Sequence, residues 1–303
     1  MTPKWFSRRD DDDSIAPEGL PLIVALDGFL SAGSAAQLAG EQLRTQPGHL
    51  VHDFDLDAMY DYRARRPPIT FRGDHYEDYR EPKLQMTLHR DRAGKSYLLL
   101  AGPEPDFLWE AFVAEVLELI DDAEIALVVS LGGVPMGVPH TRPPLLTMHA
   151  TKPELLDRKN LWNADVTVPS SAQSLLEYRM QQHDVDAVGY VVHVPHYLTQ
   201  IEYPAAALAL LDAVTDRLDL DLDVADLQAR QPEAIAQIEQ QIAEQDGGEV
   251  LVGLEEQYDA FNRGAAESLL ADDQSLPTGD ELARQLEQFL ARQREDDPGD
   301  AGR

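Results

Sequence analysis

Short apolar runs alternate with amphipathic segments over the first two thirds of this chain, and no other feature limits its fold as strongly. Residues 20–29, 125–133 and 186–195 are almost continuously apolar, as expected for buried strands of a parallel sheet. Residues 109–120 instead repeat their apolar side chains at helical spacing. The alternation continues to about residue 217 and predicts a three-layer α/β/α sandwich with a largely parallel sheet.

Beyond residue 217 the apolar patterns are helical. Ile235, Ile238 and Ile242 share one helical face, and residues 216–303 hold 23 acidic but only 7 basic side chains. The change in pattern and in charge density predicts a helical subdomain after the sandwich. The expected organisation is a disordered acidic tail over residues 1–18, a sandwich over 19–217, a helical subdomain over 218–295 and a disordered tail over 296–303.

Composition narrows the functional classes. The chain has no cysteine, which excludes disulfides and thiolate metal sites and is typical of a cytoplasmic protein. Its formal net charge of −30 repels phosphate backbones and anionic lipids, so neither nucleic acid nor a membrane is an expected partner. No apolar run approaches the ~18 residues that span a bilayer, and residues 1–13 do not resemble a secretory signal. We expect a cytoplasmic globular protein.

The segment VSLGGVPMGVPHTRPP, residues 129–144, places His140, Thr141 and Arg142 on a stretch stiffened by prolines. Arginine can bind a carboxylate or a phosphate through two parallel hydrogen bonds. Arg142 is therefore a candidate for holding an anionic ligand, for pairing with an acidic residue of its own chain, or for pairing with a neighbouring subunit. Neither a nucleophile nor a general base accompanies it, which favours a structural or interface role.

Other candidates stand at predicted strand ends. Asp27 ends the first apolar run, and a predicted turn at Gly132 and Gly133 ends another. Ligands of open α/β sheets bind beyond the carboxyl ends of the strands, so these residues and His140 could converge on one edge. Polar residues also collect at strand ends where nothing binds, and the pattern leaves both readings open.

The turn GFLSAGS, Gly28–Ser34, has the glycine and serine spacing of a phosphate loop. Gly33 occupies the position where such a loop needs lysine, so nucleoside triphosphate binding is not indicated. Amides at the start of the following helix could still hold an anion, or the small residues could simply allow close packing. The complete set of ligand or interface candidates is Asp27, Gly28, Gly33, Gly132, Gly133, His140, Thr141 and Arg142.

Histidine spacing gives no persuasive metal site. His193 and His196 lie three residues apart, but a proline separates them and no third ligand is defined. The sequence also lacks the serine elbow G-x-S-x-G and the zinc motif H-E-x-x-H. We therefore expect neither a metal nor a cofactor, and we assign no catalytic residue.

Three segments in this order, DGFLSAGSAA, LGGVP…HTRP and YPAAALALLDAV, resemble the proteasome assembly chaperone 2 family and, more narrowly, its actinobacterial branch. The resemblance covers roughly residues 20–290. It implies a sandwich related to purine nucleoside phosphorylases, an added C-terminal helical region, and self-association, with a trimer as one expected state. Eukaryotic relatives help to assemble the proteasome α-ring and dock through a C-terminal hydrophobic residue followed by tyrosine. This chain ends in DPGDAGR, so we do not expect that mode of docking.

The leading hypothesis is a non-enzymatic, oligomeric factor that binds a client protein. The alternative is an enzyme or sensor, similar to a phosphorylase or a ligase, that binds a small anion or a nucleoside at the strand-end edge. A rigid pocket lined by Asp27, His140 and Arg142 would favour the alternative.

Overall fold

A seven-stranded mixed sheet forms the centre of the molecule. The computed structural model describes residues 19–157, 166–244 and 248–270, with side chains up to residue 263. The predicted tails over 1–18 and 296–303 lie outside these residues. The strands of this sheet are β1 (Pro21–Asp27), β2 (Gly48–Asp53), β5 (Gln85–Arg90), β6 (Ser96–Pro103), β7 (Leu127–Met136), β8 (Leu146–Ala150) and β9 (Ala187–Pro195). Strands β3 (Thr70–Arg72) and β4 (His75–Glu77) form a separate pair.

The sheet has the order β2-β5-β6-β1-β7-β9-β8, and only β5 and β8 run against the other strands. The largely parallel sheet predicted from the apolar runs is therefore confirmed. The helices are α1 (Ala35–Arg44), α2 (Leu56–Met59), α3 (Trp109–Asp122), α4 (Ala172–Gln182), α5 (Pro204–Leu218), α6 (Ala225–Glu244) and α7 (Gly248–Leu270). None of the helices in the described ranges is long and apolar enough to cross a membrane.

Helices cover both faces of the sheet because β1 is apolar on both sides. Leu22, Val24 and Leu26 face a core completed by α3 and α4, whereas Ile23 and Ala25 face a core completed by α1 and α5. Successive side chains of a strand point to opposite faces, so one continuous apolar run supplies both cores. The three-layer arrangement follows from this pattern.

Two local predictions were wrong in detail. The strand expected to stop in a turn at Gly132 and Gly133 continues to Met136, because β7 pairs with β9 in parallel over nine residue pairs. Backbone pairing along the whole length of β9 outweighs the weak strand preference of glycine and proline. The spacing of Ser170 and Gln173 predicts a capping box at the start of α4, but the box begins one residue later, where the Ser171 hydroxyl accepts a hydrogen bond from the amide of Ser174.

The C-terminal helices predicted from the sequence are confirmed. Leu227 and Ile238 of α6 are buried and join the core formed by α1 and α5. In α7, the spacing of Leu251, Leu254, Tyr258 and Phe261 predicts one shared helical face. Tyr258 is buried, whereas Phe261 is 41% exposed. The division into a sandwich and a separate helical subdomain stays a prediction, and its part beyond residue 270 lies outside the described structure.

Candidate functional site

Residues 137–145, named here the proline loop, connect β7 to β8 and carry His140, Thr141 and Arg142. Each proline of the loop fixes one backbone dihedral angle, which reduces the conformations available to the segment. The loop begins at the carboxyl end of β7 and meets helix α7, as the hydrogen bond between Tyr258 and Pro143 shows. It therefore presents its polar side chains from a restricted backbone.

His140 is buried within this loop, with 5% of its surface exposed. Its amide donates to the hydroxyl of Tyr197 over 3.0 Å, and its ring Nδ1 lies 2.8 Å from the same hydroxyl. The hydroxyl of Tyr203 donates to the His140 carbonyl over 3.4 Å. Burial lowers the pKa of His140, although the carboxylates of Glu239 and Glu255 oppose part of that shift. The neutral imidazole is therefore favoured near pH 7.

Arg142 binds two carboxylates of α7. Its Nε and Nη2 donate to the two carboxylate oxygens of Asp259, each over 2.9 Å, and Nη1 lies 3.3 Å from Glu255. The hydroxyl of Thr141 also donates to Glu255. The hydrogen bond from Arg142 lowers the pKa of Asp259, and the same bond raises the pKa of Arg142. Of the three partners that the sequence left open for Arg142, the structure supplies acidic residues of its own chain.

A tyrosine strengthens the attachment of α7 to the proline loop. The buried Tyr258 donates its hydroxyl hydrogen to the carbonyl oxygen of Pro143 over 2.7 Å. Together with Arg142 and Thr141, this bond fastens the first half of α7 to the loop. The charged candidates of the loop thus hold a helix in place.

The first amides of the glycine turn are occupied by protein acceptors. The Gly28 amide donates to Ser31 Oγ over 2.6 Å, and the Phe29 amide donates to Glu104 Oε2 over 2.7 Å. The other oxygen of Glu104 accepts the amide of Ala172 at the start of α4. A Cβ atom on Gly28 would lie 1.8 Å from Glu104 Oε2, so this position needs glycine for lack of space.

Gly33 joins the glycine turn to the segment that follows β9. It adopts a positive φ of 63°, which glycine tolerates without strain. Its amide donates to the Thr199 carbonyl over 3.0 Å, and its carbonyl accepts the Tyr203 amide over 2.9 Å. These bonds support close packing of the turn. Anion binding by the turn stays a prediction.

Gly132 and Gly133 lie inside β7, where they let the glycine turn approach the sheet. A Cβ on Gly132 would lie 3.1 Å from Leu30, and one on Gly133 would lie 2.8 Å from the Ala32 carbonyl oxygen. The Gly133 amide also donates to the Leu30 carbonyl over 2.8 Å. Both glycines therefore make room for the turn that follows β1.

Asp27 belongs to a different contact network from His140 and Arg142. Its carbonyl oxygen is 3.5 Å from Arg65 Nη1, while Arg65 Nη2 donates to the Glu104 carbonyl and to the Asp106 carboxylate, each over 2.6 Å. His140 and Arg142 instead contact Tyr197 and α7. The candidate residues predicted from the sequence therefore belong to two separate contact networks.

Three residues that make the central hydrogen bonds of these two networks are not among the candidates predicted from the sequence. They are Arg65, Glu104 and Tyr197. Arg65 lies in the run RARR, which is unusual in so acidic a chain and could have drawn attention. Glu104 stands between two prolines directly after an apolar strand. Tyr197 carries no comparable signal, because its partner His140 is 57 residues away.

A second polar cluster, of which only Ser130 is fully buried, joins β7, β8 and α4. Ser130 Oγ donates to one oxygen of Glu177 over 2.5 Å, and His149 Nε2 donates to the other oxygen over 2.5 Å. Burial alone would lower the pKa of His149, but the charge of Glu177 and its hydrogen bond together outweigh burial and raise that pKa. The carboxylate stands between the serine and the histidine, so His149 cannot act as the base for Ser130. The cluster is not a catalytic triad.

The histidines flanking Pro195 have local partners or surface positions. His193 is buried, its Nε2 lies 2.7 Å from Thr147 Oγ1, and burial lowers its pKa. His196 begins a short 3-10 helix after β9. Within the ranges that the structure describes, no three histidine, aspartate or glutamate residues are arranged to hold a metal ion. The expected lack of metal stays a prediction.

Comparisons with known proteins agree on one family. A model of the PAC2 family matches residues 25–245. A Mycobacterium tuberculosis protein of unknown function is 43% identical over 81% of this chain and 86% of its own, with a TM-score of 0.78. A Corynebacterium glutamicum protein of unknown function is 33% identical over 85% and 96%, with a TM-score of 0.77. A proteasome-assembly chaperone homologue of M. tuberculosis is 28% identical over 74% and 94%, with a TM-score of 0.65. No curated protein matches the chain.

Proposed function

The chain belongs to the PAC2 family, and from that membership we propose that it acts without catalysing a reaction, as a self-associating factor that binds another protein. One of its relatives is described as a proteasome-assembly chaperone homologue. By analogy, the client is a subunit of a larger protein assembly. The proposal needs a surface through which the chain can meet a partner.

An isolated hairpin supplies that surface and is the observation that carries the proposal. The segment of residues 68–80, named here the aromatic hairpin, contains β3 and β4, which among the described strands pair only with each other. Phe71 and Tyr76 are 60% and 68% exposed and contact each other edge to face. An unsupported two-stranded hairpin is marginally stable in water, and exposed apolar clusters commonly mark interaction sites. A partner that covers these rings would stabilise the hairpin.

Charge favours a second copy of this chain as that partner. Residues 61–80 contain five arginines and four acidic residues, whereas the whole chain has a formal net charge of −30. Arginine and tyrosine are also the residue types enriched in the energetically important centres of interfaces. Arg65 and Arg72 already pair with Asp106 and Glu77 of their own chain. The exposed Arg63, Arg66 and Arg80 would meet the acidic surface of a second copy. We therefore place the self-association interface at the aromatic hairpin.

The contacts of the candidate residues also support a binding role over the alternative of an anion-binding or nucleoside-binding enzyme. Arg142 is neutralised by Asp259 and Glu255 of the same chain. The amides of Gly28 and Gly33 donate to protein oxygens. A small anion would have to displace these partners before it could bind.

The test is sedimentation velocity on the full chain and on the double variant Phe71→Ser, Tyr76→Ser. Both rings are exposed, so the double variant should keep the sandwich fold while losing apolar surface at the interface. We expect an oligomer for the wild type and a monomer, or a much weaker oligomer, for the double variant.

Tyr178→Ser is the matched control, because Tyr178 is also exposed, at 55%, but lies on α4. It should leave the oligomer unchanged. A wild type that is monomeric at all accessible concentrations would contradict self-association. A double variant that stays oligomeric but no longer captures the proteins that the wild type captures from native cells would assign the aromatic hairpin to the client.

A further inference from the structure

An open cleft of about 740 Å³ lies between the proline loop and the two C-terminal helices. Pockets that hold small organic ligands have volumes of about 300–1,000 Å³, so the cleft is of suitable size. The residues that line it are His140 and Thr141 of the loop, Glu239, Ile242 and Ala243 of α6, and Gly248, Glu249 and Leu251 of α7.

His140 brings an unused hydrogen-bond donor to this cleft. The hydroxyl of Tyr197 accepts the His140 amide, so its own hydrogen is available to Nδ1 of the His140 ring. Because Nδ1 accepts this hydrogen, the neutral imidazole carries its own proton on Nε2. Nε2 is buried and has no hydrogen-bond partner in the structure. A buried donor without a partner is costly, and an acceptor oxygen that reached it from the cleft would remove that cost.

The other residues that line the cleft indicate which further chemical groups of a ligand it would bind. Glu239 and Glu249 are exposed, and neither carboxylate forms a salt bridge among the described residues. The carboxylates disfavour an anionic ligand and favour a cation. Ile242 and Leu251 are partly buried and offer apolar surface beside them. The cleft thus combines one donor, two carboxylates and an apolar wall.

We propose that this cleft binds an organic cation, an alkylammonium or guanidinium group, that also carries a carbonyl oxygen. The carbonyl oxygen accepts from His140 Nε2, the cation pairs with Glu239 and Glu249, and the carbon stem packs on Ile242 and Leu251. A lysine or arginine residue of a partner protein has this chemistry, and so does a free amide of a basic amino acid.

Calorimetric titration of the full chain with N-acetyl-lysine amide tests the charge requirement. The double variant Glu239→Gln, Glu249→Gln should weaken binding about three- to thirtyfold, because each exposed ion pair contributes modestly. Glu256→Gln is the matched control, since this glutamate is exposed on α7 but does not line the cleft. It should leave the affinity unchanged.

Pentylamine, which lacks a carbonyl oxygen, tests the role of His140. His140→Phe should weaken binding of N-acetyl-lysine amide about three- to tenfold, the effect of one hydrogen bond, and leave pentylamine binding unchanged. If His140→Phe does not fold, the imidazole nitrogen resonances of the wild type give the same test. The Nε2 signal of His140 should shift with N-acetyl-lysine amide and not with pentylamine.

A blocked tripeptide with a central lysine distinguishes the two sources of the ligand. Tighter binding of the tripeptide than of N-acetyl-lysine amide would assign the cleft to a basic segment of a partner protein. Equal or weaker binding of the tripeptide would assign it to a small molecule. The proposal is overturned if folded wild-type protein binds none of these probes, or if the double glutamate variant binds them as tightly as the wild type does.

Discussion

Glu104 shows that one side chain can connect elements that are far apart in the sequence. One of its oxygens accepts the Phe29 amide and the other accepts the Ala172 amide, so a single carboxylate joins the loop after β1 to the start of α4. Gly28 leaves the space that this carboxylate occupies. The sequence identified Gly28 as a candidate, but it could not reveal Glu104, which is 75 residues away from Phe29.

Replacement of Gly28 by alanine tests this arrangement. The added methyl group would overlap Glu104, so Gly28→Ala should lower the free energy of unfolding by about 1–3 kcal/mol, as overpacked substitutions do. Gly253→Ala in α7 is the control, because a Cβ there meets no atom within 4 Å. Alanine is the better helix former, so the control should not destabilise the protein. Urea unfolding of both variants measures the difference, and equal stabilities would refute the packing argument.

The His149–Glu177 pair predicts a stability contribution that depends on pH. The pKa of His149 is raised from an ordinary value of 6.5, so its contribution is complete below 6.5 and is lost as the pH rises through the raised pKa. Burial would raise the pKa of Glu177, but the charge of His149 and the hydrogen bonds from His149, Ser130 and Gln173 together lower it below 4.5, so that contribution is lost only in more acidic solution. The pair is therefore strongest between pH 4.5 and 6.5.

Thermal unfolding of His149→Gln and wild type near pH 5.5 and near pH 9 checks this expectation. His149 is 45% exposed, so solvent screening limits the pair to about 1 kcal/mol, or about 2–4 °C in Tm. The Tm of the variant should be about 2–4 °C below that of the wild type near pH 5.5 and nearly equal to it near pH 9. A loss that grows with pH would contradict the assignment.

At the scale of elements, the proline loop and α7 depend on each other. The loop contributes a carbonyl oxygen and a guanidinium, and α7 contributes Tyr258, Asp259 and Glu255. These contacts join segments more than 100 residues apart. Loss of them should release α7 and leave the sandwich intact.

Tyr258→Phe removes one hydrogen bond from this attachment and keeps the ring. The Pro143 carbonyl loses its partner, so the variant should be less stable by about 0.5–1.5 kcal/mol. Hydrogen exchange should accelerate in α7 and stay unchanged in β1, and adding Arg142→Ala should accelerate it further. Uniform acceleration over the whole chain would show that α7 belongs to the same cooperative unit as the sandwich.

The sequence predicted the helices and strands whose apolar residues repeat at a regular spacing. The apolar run of β1 and the apolar stripe of α3 are present. Two strand-like runs on either side of DRAGK predict a hairpin, and β5 and β6 form it. The extension of β7 through Gly132 and Gly133 depends on pairing with β9, which no local pattern reveals. The aromatic hairpin has no alternation, because both of its faces are exposed. The partners of His140 and Arg142 likewise depend on contacts distant in sequence.

At the scale of the whole molecule, the net charge opposes the self-association that the local charge beside the aromatic hairpin favours. A formal net charge of −30 makes two copies repel each other, and salt screens such repulsion over about 8 Å at physiological ionic strength. Association should therefore strengthen as salt is added, although the local pairs of the arginine-containing segment weaken. Sedimentation equilibrium over a range of salt concentrations measures this, and dissociation by salt would indicate an interface dominated by ion pairs.

The central claim is that a second copy of the chain covers the aromatic hairpin. Hydrogen–deuterium exchange of the full chain at low and at high protein concentration tests it most directly. The amides of residues 68–80, which include β3 and β4, should exchange rapidly in dilute protein and become protected as concentration rises. Amides of β1 should be protected equally at both concentrations, because this strand is buried in the sheet. Fast exchange of the hairpin at every concentration, in a protein shown to be oligomeric, would contradict the account.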